Sequence, residues 1–262
     1  MVSKKKSPCL DDLLAELRLS TIRQHYVEAA QQATQETLSY EAYLEGLVER
    51  EVECRQHNKI GRLLRESRLP LEKSLDNFDL TRLPNKLVQQ VRSLLDGQFL
   101  SRTENILAFG NPGSGKTHLL CAIGHELVQL GHPVYFSTCS LLVQELLRAK
   151  RDLALDKALK KFSKYEVLII DDIGYVQQNR EEMEVLFSLL AYRYERGSVM
   201  ITSNLAFSQW ESIFKDPMTT AAAIDRLVHH SVILELNLKS YRIEAAKKQK
   251  SKTVKSDKSA TP

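Results

Sequence analysis

Up to Leu69 the apolar positions of the chain recur at helical spacing; beyond it they gather into short continuous runs alternating with further helical stretches. Leu10, Leu13, Leu14 and Leu17 fall at helical spacing, as do Ile22, Tyr26 and Ala30, in a region almost free of glycine and proline. Ser39 is a candidate N-cap for a long helix carrying Leu44, Leu47, Val48 and Val52 on one face. Leu69-Pro70 through Leu83-Pro84 breaks the periodicity and reads as a linker. Within it Phe78 stands alone among polar residues and is expected to pack on the domain that follows. A helix from about Lys86 to Gln98 comes next.

The short apolar runs read as strands: Asn105 to Phe109, Val134 to Thr138, Val167 to Asp172, Ser198 to Thr202 and Val232 to Leu236. Between them helices are predicted after residue 117, over Leu141 to Leu147, Leu153 to Phe162, Glu181 to Glu195, Ser208 to Phe214 and Ala221 to His229. Alternation of this kind argues for an α/β fold, a parallel sheet between helices, preceded by a small all-α N-terminal domain. From Lys247 the chain carries six lysines and almost no apolar residue, so residues 247–262 are expected to be disordered.

Composition narrows the class. The 262 residues are 43% hydrophobic and 27% charged, which suits one substantial domain and a smaller one. No apolar run approaches the roughly 18 residues of a membrane span, and no signal-peptide core follows the basic start. Cys9, Cys54, Cys121 and Cys139 are scattered without metal-ligand spacing, as expected of reduced thiols in a cytoplasm. A net charge of +4 permits nucleic-acid binding without requiring it, so the distribution matters more.

The strongest chemical signal is Gly110-Asn111-Pro112-Gly113-Ser114-Gly115-Lys116-Thr117, which fits G-x-x-x-x-G-K-[ST] between a strand and a helix. Glycines let backbone N–H groups approach phosphate oxygens, the lysine brings a positive charge to the β/γ-phosphates, and the threonine hydroxyl can ligate Mg²⁺. The helix that follows adds a favourable dipole. ATP and Mg²⁺ are the expected ligands. Asp171 lies 55 residues beyond Lys116, and Asp171-Asp172 closes an apolar strand. Asp171 is expected to face Mg²⁺ from a strand next to the P-loop strand, and Asp172 to orient or deprotonate the attacking water. Two aspartates capping a strand before a turn is the plainer alternative. Asn204 ends the strand Met200-Ile201-Thr202-Ser203, where its amide can hold water near a γ-phosphate. Arg226 and Arg242 would each be ordinary surface charges in isolation.

The order of these motifs resembles the AAA+ ATPases, and within them the DnaC/IstB group, over nearly the whole chain. Gly110 to Thr117 looks like Walker A, Val167 to Asp172 like Walker B and Asn204 like sensor 1. By the same resemblance Arg226 falls at the arginine-finger position, acting on ATP in a neighbouring subunit, and Arg242 at sensor 2. Arg65-Glu66-Ser67-Arg68-Leu69-Pro70, Ser74 to Asp79 and Tyr194-Glu195-Arg196-Gly197-Ser198-Val199 look more like IstB than DnaC. The resemblance implies a helical N-terminal domain at 1–69 for DNA or partner binding, a linker at 70–84 and an AAA+ ATPase domain at 85–246 with little or no C-terminal lid. It further implies a homo-oligomer that assembles with ATP on double-stranded DNA and assists a partner transposase. A replicative helicase loader is the alternative, and a clamp gated by ATP binding alone is a third reading. Asp172 stands where many AAA+ proteins carry Glu, so slow hydrolysis is expected. The resemblance extends to initiator-type AAA+ proteins, in which the helices between the second and third core strands face nucleic acid, and so implies DNA contact by Lys150, Arg151, Lys157, Lys160 and Lys161. Arg55, Lys59 and Arg62 are either a second such surface or a solvated helix face.

Overall fold

In the computed structural model, which describes residues 9–174, 180–205, 209–210, 227–238 and 240–241, the helix that begins after Ser39 is α3 (Tyr40–Ser67). The Ser39 hydroxyl accepts the Ala42 amide at 3.1 Å, so the N-cap forms as its sequence predicts. The chain divides into two units, Met1–Arg62 and Leu63–Pro262. In the first, α1 (Leu10–Glu16) and α2 (Ser20–Gln35) precede α3. Leu14, Ile22 and Leu47 form its small core, with Leu19, Tyr26, Ala29 and Tyr43 packed around them. Leu44, Val48 and Val52 do not join Leu47 there and remain 58%, 45% and 57% exposed. The contact runs along the Tyr43–Leu47–Glu51 row, and one residue along a helix turns the side chain by roughly 100°. Glu51 is buried and accepts the Thr21 and Ile22 amides at 2.7 and 3.1 Å, which satisfies two orphan donors at the start of α2. Burial works against its charge. Hydrogen bonds from Arg55 and those two amides outweigh it and hold the carboxyl below its ordinary pKa.

The second unit contains a parallel sheet. Its strands are β1 (Asn105–Gly110), β2 (Val134–Thr138), β3 (Val167–Ile173), β4 (Ser198–Ser203) and β5 (Ser231–Leu236), in the order β2-β3-β4-β1-β5. Every neighbouring pair is parallel. The helices are α4 (Asn85–Leu94), α5 (Gln98–Ser101), α6 (Lys116–Gln129), α7 (Cys139–Arg151), α8 (Leu155–Phe162) and α9 (Arg180–Arg193). The single helix expected from Lys86 to Gln98 is thus two, parted at Leu95–Gly97. The helices expected over Ser208 to Phe214 and Ala221 to His229 fall largely outside the described residues, and the lysine-rich tail falls wholly outside them. Arg226 and Arg242 lie outside them as well.

The strand ending in Asp171-Asp172 is not next to the P-loop strand, contrary to expectation, because β4 lies between β1 and β3. Strand order follows from how the crossovers pack, which the spacing of motifs along the chain does not encode. The consequence is that the end of β4 lies between the P-loop and the carboxylates.

At the opposite edge, the buried Arg193 at the end of α9 holds the strand starts together. Its guanidinium donates to the carbonyls of Phe162, Tyr165, Glu166 and Ser198 at 2.9–3.0 Å. Burial pulls its pKa down to about 10, so it stays charged at neutral pH. Gly197 makes room for it: a Cβ there would lie 2.7 Å from the guanidinium. Arg193→Met should therefore destabilise the second unit by about 2–4 kcal/mol, since those carbonyls each lose a charged donor. A lower midpoint in urea, with near-wild-type secondary structure before the transition, is the expected result.

Candidate active site

The site is assembled from loop and strand ends at the carboxyl edge of the sheet. Asn111 to Gly115 connect β1 to α6, and Gly115 is the N-cap of that helix. Gly113 has a φ of +77°, and a Cβ on it would collide with the Ser240 hydroxyl, so both conformation and space call for glycine. The Tyr241 amide donates to the Gly113 carbonyl at 3.0 Å, bracing the loop from the segment after β5. Phe78 packs beside Gly115 and meets the His118 ring edge-on at 5.2 Å. It therefore packs where its isolation among polar residues suggested. The His118 ring, through Nε2, donates to the Ser74 carbonyl at 2.9 Å, and His125 does the same to Pro70 at 3.0 Å.

Lys116 is only 6% exposed. Its ammonium donates to the carbonyls of Gly110 and Asn111 at 2.9 and 3.0 Å and to the amide oxygen of Asn204 at 2.5 Å. The other half of that amide donates to Asp172 Oδ1 at 2.9 Å, so Asn204 links lysine to carboxylate. The Thr117 hydroxyl donates to Asp171 Oδ1 at 2.7 Å. Thr202, which the motif reading passed over, donates its hydroxyl to the same oxygen at 2.7 Å. The only sequence signal for it was a hydroxyl among the apolar residues of β4. Lys116, Thr117, Asp171, Asp172 and Asn204 thus converge as the motif order implied.

The residues fit a Mg²⁺-nucleotide. The Ser114 hydroxyl is buried in the P-loop and has no hydrogen-bond partner among the described residues, which leaves it available to an oxygen-rich ligand. The Thr117 hydroxyl and the Asp171 carboxylate are hard oxygen donors side by side. Among the described residues no cluster of three or more His, Cys, Asp or Glu could hold a metal. A hydroxyl beside a carboxylate suits a cation that keeps phosphate and water as its other ligands.

The basic residues are distributed differently. Lys150 pairs with Glu184 at 2.8 Å and Lys161 with Glu145 at 2.6 Å. Arg151 donates to the Leu147 carbonyl at 3.5 Å. Lys157 and Lys160 are exposed on α8. In the first unit Arg55 bonds Glu51 at 2.7 Å and the Arg18 carbonyl, whereas Lys59 and Arg62 are exposed. Among the described residues no helix is long and apolar enough to cross a membrane.

A parallel sheet with a P-loop after its fourth strand in spatial order, and acidic and amide side chains at the neighbouring strand ends, defines a P-loop α/β domain of the AAA+ kind. The core resembles a solved DnaC helicase loader, with a TM-score of 0.54 and 21% identity, over 64% of this chain and 98% of that one. The chain belongs to the family of IstB-like ATP binding proteins, whose model matches residues 12–252. It is 42% identical to an insertion-sequence ATP-binding protein of Sinorhizobium fredii, over 91% of this chain and 80% of that protein. It is 38% identical to the IS5376 ATP-binding protein of Geobacillus stearothermophilus, over 90% and 94%.

Lys116→Ala should weaken ATP binding by roughly tenfold to a hundredfold, the worth of a charged hydrogen-bond donor. Titration with a fluorescent ATP analogue checks this, with the melting temperature reporting whether the fold survives.

Proposed function

We propose that this protein is a Mg²⁺-dependent ATPase that oligomerises on double-stranded DNA and assists a partner transposase in DNA transposition. The observation that carries the ATPase reading is the convergence of Lys116, Thr117, Asp171, Asp172 and Asn204 at one sheet edge. The insertion-sequence relatives, matched over about nine-tenths of the chain, support the transposition reading. The likeness to the DnaC helicase loader is one of fold and adds nothing specific to the loader alternative.

In this reading Lys116 clamps the β/γ-phosphates, and the P-loop amides hold the remaining phosphate oxygens. Thr117 and Asp171 would hold Mg²⁺, which offsets phosphate charge when bound. Asp172 orients or deprotonates the attacking water, with Asn204 fixing its carboxylate. Arg226 acts on the ATP of a neighbouring subunit and Arg242 serves as sensor 2; both roles rest on motif position. An aspartate base reaches less far than a glutamate, so turnover is slow. DNA is held through phosphates by basic side chains of α7 and α8, with Lys59 and Arg62 as a second surface. A cytoplasmic location follows from that work.

Asp172→Asn keeps the side-chain size but removes the base. It should bind ATP normally and hydrolyse it some 10²- to 10⁴-fold more slowly in single-turnover assays. Hydrolysis near the wild-type rate would place the base elsewhere. For DNA, Lys157→Glu with Lys160→Glu tests α8 without breaking the Lys150 and Lys161 ion pairs. Duplex affinity should fall, and the slope of log affinity against log salt should shrink by about 0.9 per lost phosphate contact. Anisotropy titrations at several salt concentrations, with ATP present, read both.

A further inference from the structure

The ladder between β3 and β4 is irregular at the carboxylates. Residues pair in regular register from Val167 with Ser198 to Ile170 with Ile201, and the register then shifts before Ile173 pairs with Ser203. Asp172 lies inside that irregularity with a φ of +65°, a left-handed conformation that aspartate tolerates better than most residues. Its amide donates to the Thr202 hydroxyl at 2.7 Å. The same hydroxyl donates its hydrogen to Asp171 Oδ1, also at 2.7 Å. One oxygen atom therefore fixes the side chain of the first carboxylate and the backbone of the second.

A valine would fill the same volume and suit a buried strand at least as well. Thr202 is 1% exposed, and burying a hydroxyl is unfavourable unless its hydrogen bonds are made. Here both are made to the adjacent strand, at the two residues that matter for chemistry.

We propose that Thr202 is a positioning residue for the proposed ATPase reaction: through one hydroxyl it sets the Asp171 carboxylate for Mg²⁺ and holds Asp172 in the bulge that aims its carboxylate at the water. It touches neither substrate nor metal, and it acts through the two aspartates. The proposal rests on the ATPase reading above, and the experiment separates the two.

The full chain is compared with Thr202→Val, which removes the hydroxyl, and Thr202→Ser, which keeps it. Three quantities are measured: the Mg²⁺ concentration that half-saturates binding of a fluorescent ATP analogue, the single-turnover rate of ATP hydrolysis with duplex DNA, and the melting temperature. Thr202→Val should need roughly tenfold or more Mg²⁺ and hydrolyse roughly tenfold to a hundredfold more slowly, while Mg²⁺-free nucleotide affinity changes little. Thr202→Ser should restore both. Should Thr202→Val not fold, Thr202→Ala takes its place. Wild-type Mg²⁺ dependence in the hydroxyl-free variant, or a serine variant as impaired as the valine one, overturns the proposal. If the wild-type chain hydrolyses no ATP, the ATPase reading fails, and Thr202 is judged on Mg²⁺-dependent binding alone; wild-type binding indifferent to Mg²⁺ would overturn it too.

Discussion

A lysine ammonium buried at the edge of a sheet has to be surrounded by oxygen, and the carboxyl edge of this domain is arranged around that requirement. Two P-loop carbonyls and the Asn204 amide supply the oxygens for Lys116. Because Asn204 spends its other half on Asp172, lysine, amide and carboxylate form one connected chain. The intervening position of β4 makes that link possible, since its end reaches both the P-loop and the carboxylates.

The two ends of β3 and β4 are held by opposite means. At their starts a single cation, Arg193, gathers three carbonyls from the end of α8 and the turn into β3 and one from the first residue of β4. At their ends the regular ladder gives way, and side-chain hydroxyls and an amide take over from backbone pairing. Regular pairing would have left Asp172 in extended backbone, alternating to the opposite face from Asp171. The irregularity lets consecutive aspartates share one site, and the rigid clasp at the other end keeps the strands in register.

The basic surface is less uniform than its charge count suggests. Lys150 and Lys161 already bind carboxylates of α9 and α7, and Arg55 is committed to Glu51 and a carbonyl. Exposed ion pairs are weak and exchange readily, so those lysines can still turn to phosphate. Lys157, Lys160, Lys59 and Arg62 are exposed as well.

Much of this was written in the order of residues. Strand and helix types, the Ser39 cap and the P-loop followed from periodicity and spacing, because each depends on neighbours within a few positions. Asp171, Asp172 and Asn204 were legible as strand-end polar residues after apolar runs. Tertiary structure alone decided that β4 separates β1 from β3, that Leu44, Val48 and Val52 stay outside the small helical core, and that Gly197 leaves space for Arg193. It also decided that Thr202 serves two aspartates about thirty residues away in sequence. Contacts across that separation depend on how strands are ordered and packed, and the local pattern of a strand is the same whichever neighbour it acquires.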